Sequence, residues 1–428
     1  MSKTLFAYLF ALSVFIPAIP SHGQVSSIKK EVAYLVDSIG NRYPGSAGDT
    51  MAQKHIEDRF EQLGMKCLAF PFDIIEEQWS NGTLRLQKDT MCLEFNPNKD
   101  FSVNSRSPET SVLAEYVVIG DTLPDSLQKA LNNRIVVSII RPTRDRRSNL
   151  LSITDIIDAG AKAIIFVTPP DGKINQIKSK GNRNHQIFPI PILSISHDNL
   201  DILLTGASPD TISSGLLTQP PGLIRIETQH NETHLETANI IGIKKGTEDR
   251  TIIIGAHFDT LPPDPETGMP KPGANDNASG IATMMELAKR IHKKDTKHNI
   301  IFVAFSGEEK GALGSMHFIR QLQEKNIIVD EMINLDMVGR MEDGILFYRQ
   351  FNGTMISPET VTSKITLAVG KDNLSDHFDF VNKGFPVTYF STSDDEDMHT
   401  AFDNSDRLNY KGMSRIVKLL EAYIARID

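Results

Sequence analysis

Glu308 and Glu309 close the run Phe302-Val-Ala-Phe-Ser-Gly-Glu-Glu309, so two adjacent acids leave the end of an apolar strand. Successive residues there point different ways, so one could hold a cation while the other moves a proton. His257 and Asp259 end a second apolar run, Ile252 to His257, and the His-x-Asp spacing puts imidazole and carboxylate on one side of an extended backbone. Asp259 could therefore orient a metal-binding His257. Asp276 sits in Gly273-Ala-Asn-Asp-Asn-Ala-Ser-Gly280, just before a helix, where it could bridge two ions. Asp336 ends Met332-Ile-Asn-Leu-Asp336, and His399 follows the run Pro386 to Phe390. Each has an ordinary explanation when taken alone: charge at a helix start, a cap, a surface histidine. Together they are five candidate ligands and a spare acid, all at or beyond the carboxyl ends of predicted strands, where open α/β sheets place their ligands. Two histidines with three carboxylates suit zinc better than calcium or magnesium, which prefer oxygen alone. A shared carboxylate with one histidine and one acid on each side suits two ions roughly 3.5 Å apart, a hydrolytic arrangement.

The elements that position these residues alternate strand and helix from about Gly222 to the C-terminus. Strands are expected at Thr251–Gly255, Ile300–Phe305, Glu331–Leu335 and Pro386–Phe390. Ile281, Met284, Leu287 and Ile291 mark one face of a helix. Apolar strands separated by helices predict an α/β fold with a mixed, largely parallel central sheet covered on both faces. Upstream, Val32, Leu35, Val36 and Ile39 keep helical spacing. Tyr43 to Gly48 breaks it, and a helix is expected over Thr50–Leu63. Lys66–Ile75, Thr83–Phe95, Leu223–Glu227 and Thr237–Gly242 read as β segments. The loops Leu261–Lys271, Tyr348–Ile356 and Ser391–Met398 are expected to wall the pocket, and Asp394 to Asp397 could favour a basic substrate or be merely solvated.

The texture changes between about 105 and 215. A strand at Arg134–Ile140, a helix over Leu150–Ala159, a strand at Ala161–Val167 and the extended piece Ile190–Ile195 follow one another, with a polar loop Asp171–Gln186. This block resembles the protease-associated domain that many peptidases carry as an insert. Residues 24–104 and 216–428 are then one discontinuous catalytic domain, with 105–215 inserted and free of catalytic residues.

Gly255-Ala-His-Phe-Asp259, Gly273 to Gly280, Ser306-Gly-Glu-Glu309, Asn334-Leu-Asp336, Ser375-Asp-His377 and His399-Thr400 resemble, in order and spacing, the motifs of the co-catalytic zinc aminopeptidases of the bacterial leucyl aminopeptidase and glutamate carboxypeptidase type. The resemblance covers about 30–80 and 220–428. It implies the zinc exopeptidase fold and two zinc ions per chain. His257 and Asp336 would hold one ion, Glu309 and His399 the other, with Asp276 bridging. Glu308 would be the general base and Asp259 a partner of His257. Several members of that family place tyrosine before the last histidine to help stabilise the oxyanion. Met398 stands there, leaving His377 and Tyr389 as candidates.

The chain has 428 residues and a formal net charge of -9, with no long basic run, which argues against nucleic acid as a partner. Lys3, the apolar run Leu5–Ile16 and Ser21-His-Gly23 read as a signal peptide over residues 1–23, so a secreted or periplasmic protein without a membrane span is expected. Cys67 and Cys92 either pair in an oxidising compartment or are two buried thiols. The expected partner is a peptide substrate, and the leading expectation is an aminopeptidase. A carboxypeptidase or dipeptidase of the same fold, a one-zinc glutaminyl cyclase and an inactive receptor-like relative are the competing expectations.

Overall fold

The computed structural model describes residues 21–120, 128–139, 153–170, 172–174, 179–180, 186–204, 222–353, 365–370, 374–392 and 395–428. The expected signal peptide lies outside these residues except for Ser21–Gly23, with which the first helix begins. Most of the polar loop at 171–186 and the start of the helix expected from Leu150 also lie outside them. The chain divides into two compact units, one formed by residues 1–72 and 236–428, the other by 73–235.

In the first unit four parallel strands form the centre of a sheet. Asn299–Phe305 and Ile328–Leu335 flank Arg250–His257, and Val387–Ser391 lies beyond Ile328–Leu335. The carboxyl half of Leu223–Lys244 adds an antiparallel edge beside Asn299–Phe305. Ile345–Phe351 runs antiparallel to Val387–Ser391 and parallel to Thr366–Val369. Every residue of Ile300–Phe305 is buried, the pattern of a strand covered on both faces. The helices Ser279–Ile291 and Tyr410–Ile427 cover one face, packing Met284, Leu287, Ile416, Leu420 and Tyr423 against Ile252, Ile254 and Phe302. Leu313–Glu324 and His377–Asn382 cover the other, where Phe305, Phe318 and Phe380 meet with ring centroids 5.9 to 6.4 Å apart.

The differences from the sequence reading have local causes. Tyr348–Phe351, assigned to a pocket loop, is part of a strand, because Phe347 to Phe351 pair with Ser391 to Val387. The helix assigned to Thr50–Leu63 starts at Ala47, because Ser46 caps it, accepting a hydrogen bond from the Asp49 amide at 3.1 Å. Lys66–Lys88 and Leu223–Lys244 are each one long strand where two short ones were expected. Cys67 and Cys92 are both free. Cys92 is exposed, so neither a disulfide nor a pair of buried thiols describes them. Cys67 is half-buried, and burial pushes its thiol up to about 11.

Asp49 links this helix to the strand end that bears the acid pair. Its carboxylate accepts from the Gly45 amide, Gln53 and Thr237, and the Thr237 hydroxyl lies 2.8 Å from that of Ser306. Burial pushes Asp49 up to about 6, against these hydrogen bonds. The folded value lies above the unfolded one, so the stability this group contributes is full below 3.8 and is lost as the pH rises through 6. The displacement corresponds to roughly 3 kcal/mol. Urea unfolding of the parent and of Asp49→Asn should show the parent losing ground to the variant by about that much between pH 4 and 6.5. A constant gap would contradict this account.

In the second unit Tyr116–Ile119, Ile135–Ser138, Ala163–Val167 and Ile192–Ile195 run parallel in that order. Phe101–Val103 is antiparallel to the last, and Thr110–Glu115 is antiparallel to Leu223–Thr228. Side chains on the two faces of this sheet form separate apolar clusters. The stretch 105–215 falls within this unit, which also takes in sequence on either side of it. Among the described residues no helix is long and apolar enough to cross a membrane.

Candidate metal centre

The four parallel strands of the first unit all deliver polar side chains from their carboxyl ends. His257 is the last residue of its strand, and Asp336 follows Leu335 directly. Glu308 and Glu309 follow Phe305 after the turn at Ser306-Gly307, where Gly307 takes φ 74°. Asp276 lies in the turn Ala274–Ala278 that leads into Ser279–Ile291. That turn needs Gly273, whose φ is 60° and where an added Cβ would lie 2.3 Å from the Asp276 carbonyl oxygen.

The two asparagines beside Asp276 fix this turn to the end of the strand that precedes Asp336. Asn277 donates to Leu335 O at 2.9 Å, and its oxygen accepts from the amides of Met337 and Gly280. Asn275 Oδ1 accepts from Gly339 N at 2.9 Å. Asp403 accepts the amides of Asn275 and Asp276 at 2.8 to 3.0 Å. Asp259 lies with Oδ1 3.5 Å from His257 Nδ1, and its two oxygens accept the amides of Glu308 and Glu309 at 3.1 and 3.2 Å. One aspartate thus orients the ring and seats the acid pair.

Two groups of three side chains converge tightly enough to enclose an ion: His257, Asp276 and Asp336, and Asp276, Glu309 and His399. Asp276 belongs to both. Its Oδ1 is 3.2 Å from His257 Nε2, and its Oδ2 is 3.0 Å from His399 Nε2. Asp336 Oδ1 stands 3.5 Å from His257 Nε2, and Glu309 Oε2 3.4 Å from His399 Nε2. His257 Nε2 and Asp336 Oδ1 are buried and have no hydrogen-bond partner. Groups of this kind, left facing one another, are costly unless something between them accepts their lone pairs.

The electrostatics point the same way. Burial, with the charge of Asp276 added, pushes Glu309 up to about 8. Burial also drives Glu308 well above the carboxylate range, with His257 opposing and Asp336, Asp376 and Glu309 reinforcing. His257 is driven upward despite its burial, because Asp336 and Glu308 surround it. Asp276 is held low against its burial by both imidazoles. The site therefore carries more negative charge than a buried cluster can hold, and two divalent cations are the counter-charge that its N and O donors fit.

His377 and Tyr389 lie outside both groups. Their rings stack with centroids 4.3 Å apart, and His377 also stacks on Phe351. Burial pushes the Tyr389 hydroxyl well up, and the charges of Asp336, Asp276 and Glu308 add to the effect. Four residues of this neighbourhood went unread in the sequence: Arg340, Asp376, Asp403 and Arg42. Asp376 lies inside the motif Ser375-Asp-His377, which assigns it no role, and Asp403 lies four residues after His399. Burial pushes Asp376 up to about 8.

Arg42 is wholly buried. Its guanidinium donates to the carbonyls of Leu35, Gly40, Phe258, Pro272 and Gly273 at 2.7 to 3.0 Å, joining the helical segment Tyr34–Ile39 to the strand end at His257 and to the turn before Asp276. Burial lowers it to about 10, which leaves it a cation at neutral pH. Arg42→Met should cost at least about 3 kcal/mol in urea unfolding, since several buried carbonyls lose their donor at once. A loss under about 1 kcal/mol would show that water replaces the guanidinium freely.

Residues 239–424 match the family model described as peptidase family M28, and this span contains both three-residue groups and Glu308. Aminopeptidase YwaD of Bacillus subtilis is 28% identical over 285 residues, which are 62% of this chain and 57% of that protein. A probable zinc metalloprotease of Pyrenophora tritici-repentis is 36% identical over 145 residues, 31% of this chain and 33% of that protein. The matches thus span little more than half of the first relative and a third of the second. Among solved structures, an aminopeptidase from Aneurinibacillus sp. strain AM-1 superposes with a TM-score of 0.54 at 24% identity, over 94% of this chain and 93% of that one. A glutaminyl cyclase of Fimbriiglobus ruber superposes with 0.53 at 16% identity, over 96% of each chain. At these identities the two structures share the fold of this chain.

Proposed function

We propose, from the match of residues 239–424 to peptidase family M28, that the chain is a zinc-dependent exopeptidase removing residues from the amino end of peptides. The observation that carries this reading is the pair of donor groups joined through Asp276. One zinc is assigned to His257 and Asp336, the other to Glu309 and His399, with Asp276 between them. Zinc bound there supplies Lewis-acid polarisation of the scissile carbonyl and lowers the pKa of the attacking water. Glu308 takes the proton from that water and delivers it to the leaving amine. Asp259 keeps the His257 ring in one orientation and holds the backbone of the acid pair. Tyr389, kept protonated by its surroundings, is assigned as a donor to the developing oxyanion, with His377 packed behind it. We also assign 105–215 to a protease-associated insert without catalytic residues, and residues 1–23 to a signal peptide of a secreted or periplasmic enzyme.

A one-zinc cyclase shares the fold, but the second donor group, with Glu309 and His399 converging on Asp276, favours the two-zinc reading. An inactive receptor-like chain is disfavoured because all five candidate ligands are in place. Plasma mass spectrometry should count about two zinc ions per chain. A panel of free and N-blocked aminoacyl amides should show cleavage of the free forms alone. Cleavage of N-blocked peptides with a free C-terminal carboxylate would move the assignment to a carboxypeptidase, and a single zinc with cyclisation of N-terminal glutamine would move it to a cyclase.

A further inference from the structure

We propose that Arg340 is a positioning residue for the half of the metal centre that contains His399, an inference that rests on the two-ion reading. Arg340 follows Asp336 by four residues, so its backbone starts from the same strand end as a candidate ligand. Its side chain crosses to the opposite wall. Nη1 donates to Asp397 at 2.6 Å, Nη2 to Asp403 at 3.4 Å, and Nε stands 3.3 Å from Asp395. One guanidinium thus holds three carboxylates of the loop that carries His399. The side chain is 14% exposed, so these pairs are little screened.

Two of the three carboxylates lead back to the turn of Asp276. Asp403 accepts the amides of Asn275 and Asp276 themselves. Asp395 accepts from Asn275 Nδ2 at 2.7 Å. The third, Asp397, lies two residues before His399 and is also bound by Arg407. His399 needs such support, because it takes φ 62° and its ring is 44% exposed, while the other four ligand side chains are at most 11% exposed. His257 and Asp336 instead stand directly at strand ends, where Asp259 and Asn277 already support them. Asp395 and Asp397, two acids of the run before His399, therefore face a fixed cation of the fold. Lysine cannot reproduce this arrangement, since a single ammonium lacks the planar fork that donates to two carboxylates while lying against a third.

The test uses the full chain and buffered free zinc, with Arg340→Met and Arg340→Lys each placed in the parent, His257→Ala and His399→Ala backgrounds. Losing an outer partner of a metal ligand typically weakens the ion by about 10- to 100-fold. In the parent, one zinc should weaken by about that factor and the other stay within roughly threefold. In His257→Ala the remaining zinc, held by Glu309 and His399, should weaken further. In His399→Ala either substitution should weaken the remaining zinc far less, because the Asp276 turn keeps its Asn277 anchor to Leu335 and no ring is left for the loop to place. Excess zinc should restore kcat, and Arg340→Lys should fall between the parent and Arg340→Met.

Equal weakening of both ions, with a lower metal-free Tm in both variants, would reduce Arg340 to a structural residue and overturn the proposal. So would unchanged affinity for both ions. If Arg340→Met does not fold, the same comparison is made with Arg340→Lys alone. A parent that binds no zinc overturns the metal-centre reading and this proposal with it. A parent that binds two ions, with variants that keep both at parental affinity, overturns this proposal only.

Discussion

Asp276→Ala should lose both zinc ions together, where His257→Ala and His399→Ala should each weaken one. The difference lies in the placement of the two oxygens. Asp276 Oδ1 faces His257 at 3.2 Å and Oδ2 faces His399 at 3.0 Å, so each donor group relies on one half of the same carboxylate. Removing either ring leaves the other group complete. Removing the carboxylate leaves two incomplete groups, and a zinc site deprived of a ligand holds the ion poorly. The fold should survive, because Asn275 and Asn277 anchor the turn through their own side chains and Asp403 through backbone amides. The metal-free variant should melt somewhat below the metal-free parent, since both imidazoles lose the carboxylate that faces them. Added zinc should no longer raise its Tm, whereas the parent gains by mass action at the folded state. Mass spectrometry of the dialysed proteins reads the first result and a melting curve with and without zinc the second. Parental zinc content in Asp276→Ala would remove Asp276 from both groups and dissolve the shared centre.

Of the residues that converge here, His257, Glu308, Glu309 and Asp336 stand at or just past strand ends, which are marked in sequence by the break of an apolar run, while Asp276 lies before a helix and His399 in the loop beyond Ser391. That signal marks His257, Glu308, Glu309 and Asp336 in the sequence, and the polar runs around Asp276 and His399 add those two. It says nothing of Arg340, whose partners come from a loop more than fifty residues away, or of Arg42, which lies in a turn and binds only carbonyls. Hydrogen bonds to backbone oxygens leave no trace in residue types. The central strands were legible for the same reason as the ligands, while Ile345–Phe351 was partly mistaken for a pocket wall. Its residues are only half-buried apart from Leu346, so no sustained apolar run announces it. The paired role of Asp259 was half legible. Its spacing to His257 predicted contact with the ring, but its hold on the amides of Glu308 and Glu309 depends on the neighbouring strand lying in register, with His257 opposite Phe305.

That hold sets up the second large effect. Glu308→Gln should abolish most hydrolysis while leaving zinc in place, and Glu309→Gln should lose zinc along with activity. The two side chains share a backbone anchor but differ in surroundings. Glu309 reaches His399 at 3.4 Å and belongs to a donor group. Glu308 belongs to neither group and lies in the field of His257, Asp336 and Asp376. A general base must accept a proton from the attacking water and return it to the leaving amine, for which it needs the carboxylate and not merely the shape. Glutamine keeps the size and the backbone bonds to Asp259 and cannot accept that proton. Acid-base help of this kind is typically worth about 10² to 10⁴-fold, so turnover should fall by at least the lower figure. Km should move little, since the lost interaction belongs to the transition state. Zinc content and melting temperature should match the parent in Glu308→Gln and not in Glu309→Gln. Zinc lost from the first variant and kept by the second would exchange the two roles. Near-parental turnover in Glu308→Gln with both ions bound would require a different proton acceptor. Asp376, buried beside His377 and pushed up to about 8, would then be the first residue to replace.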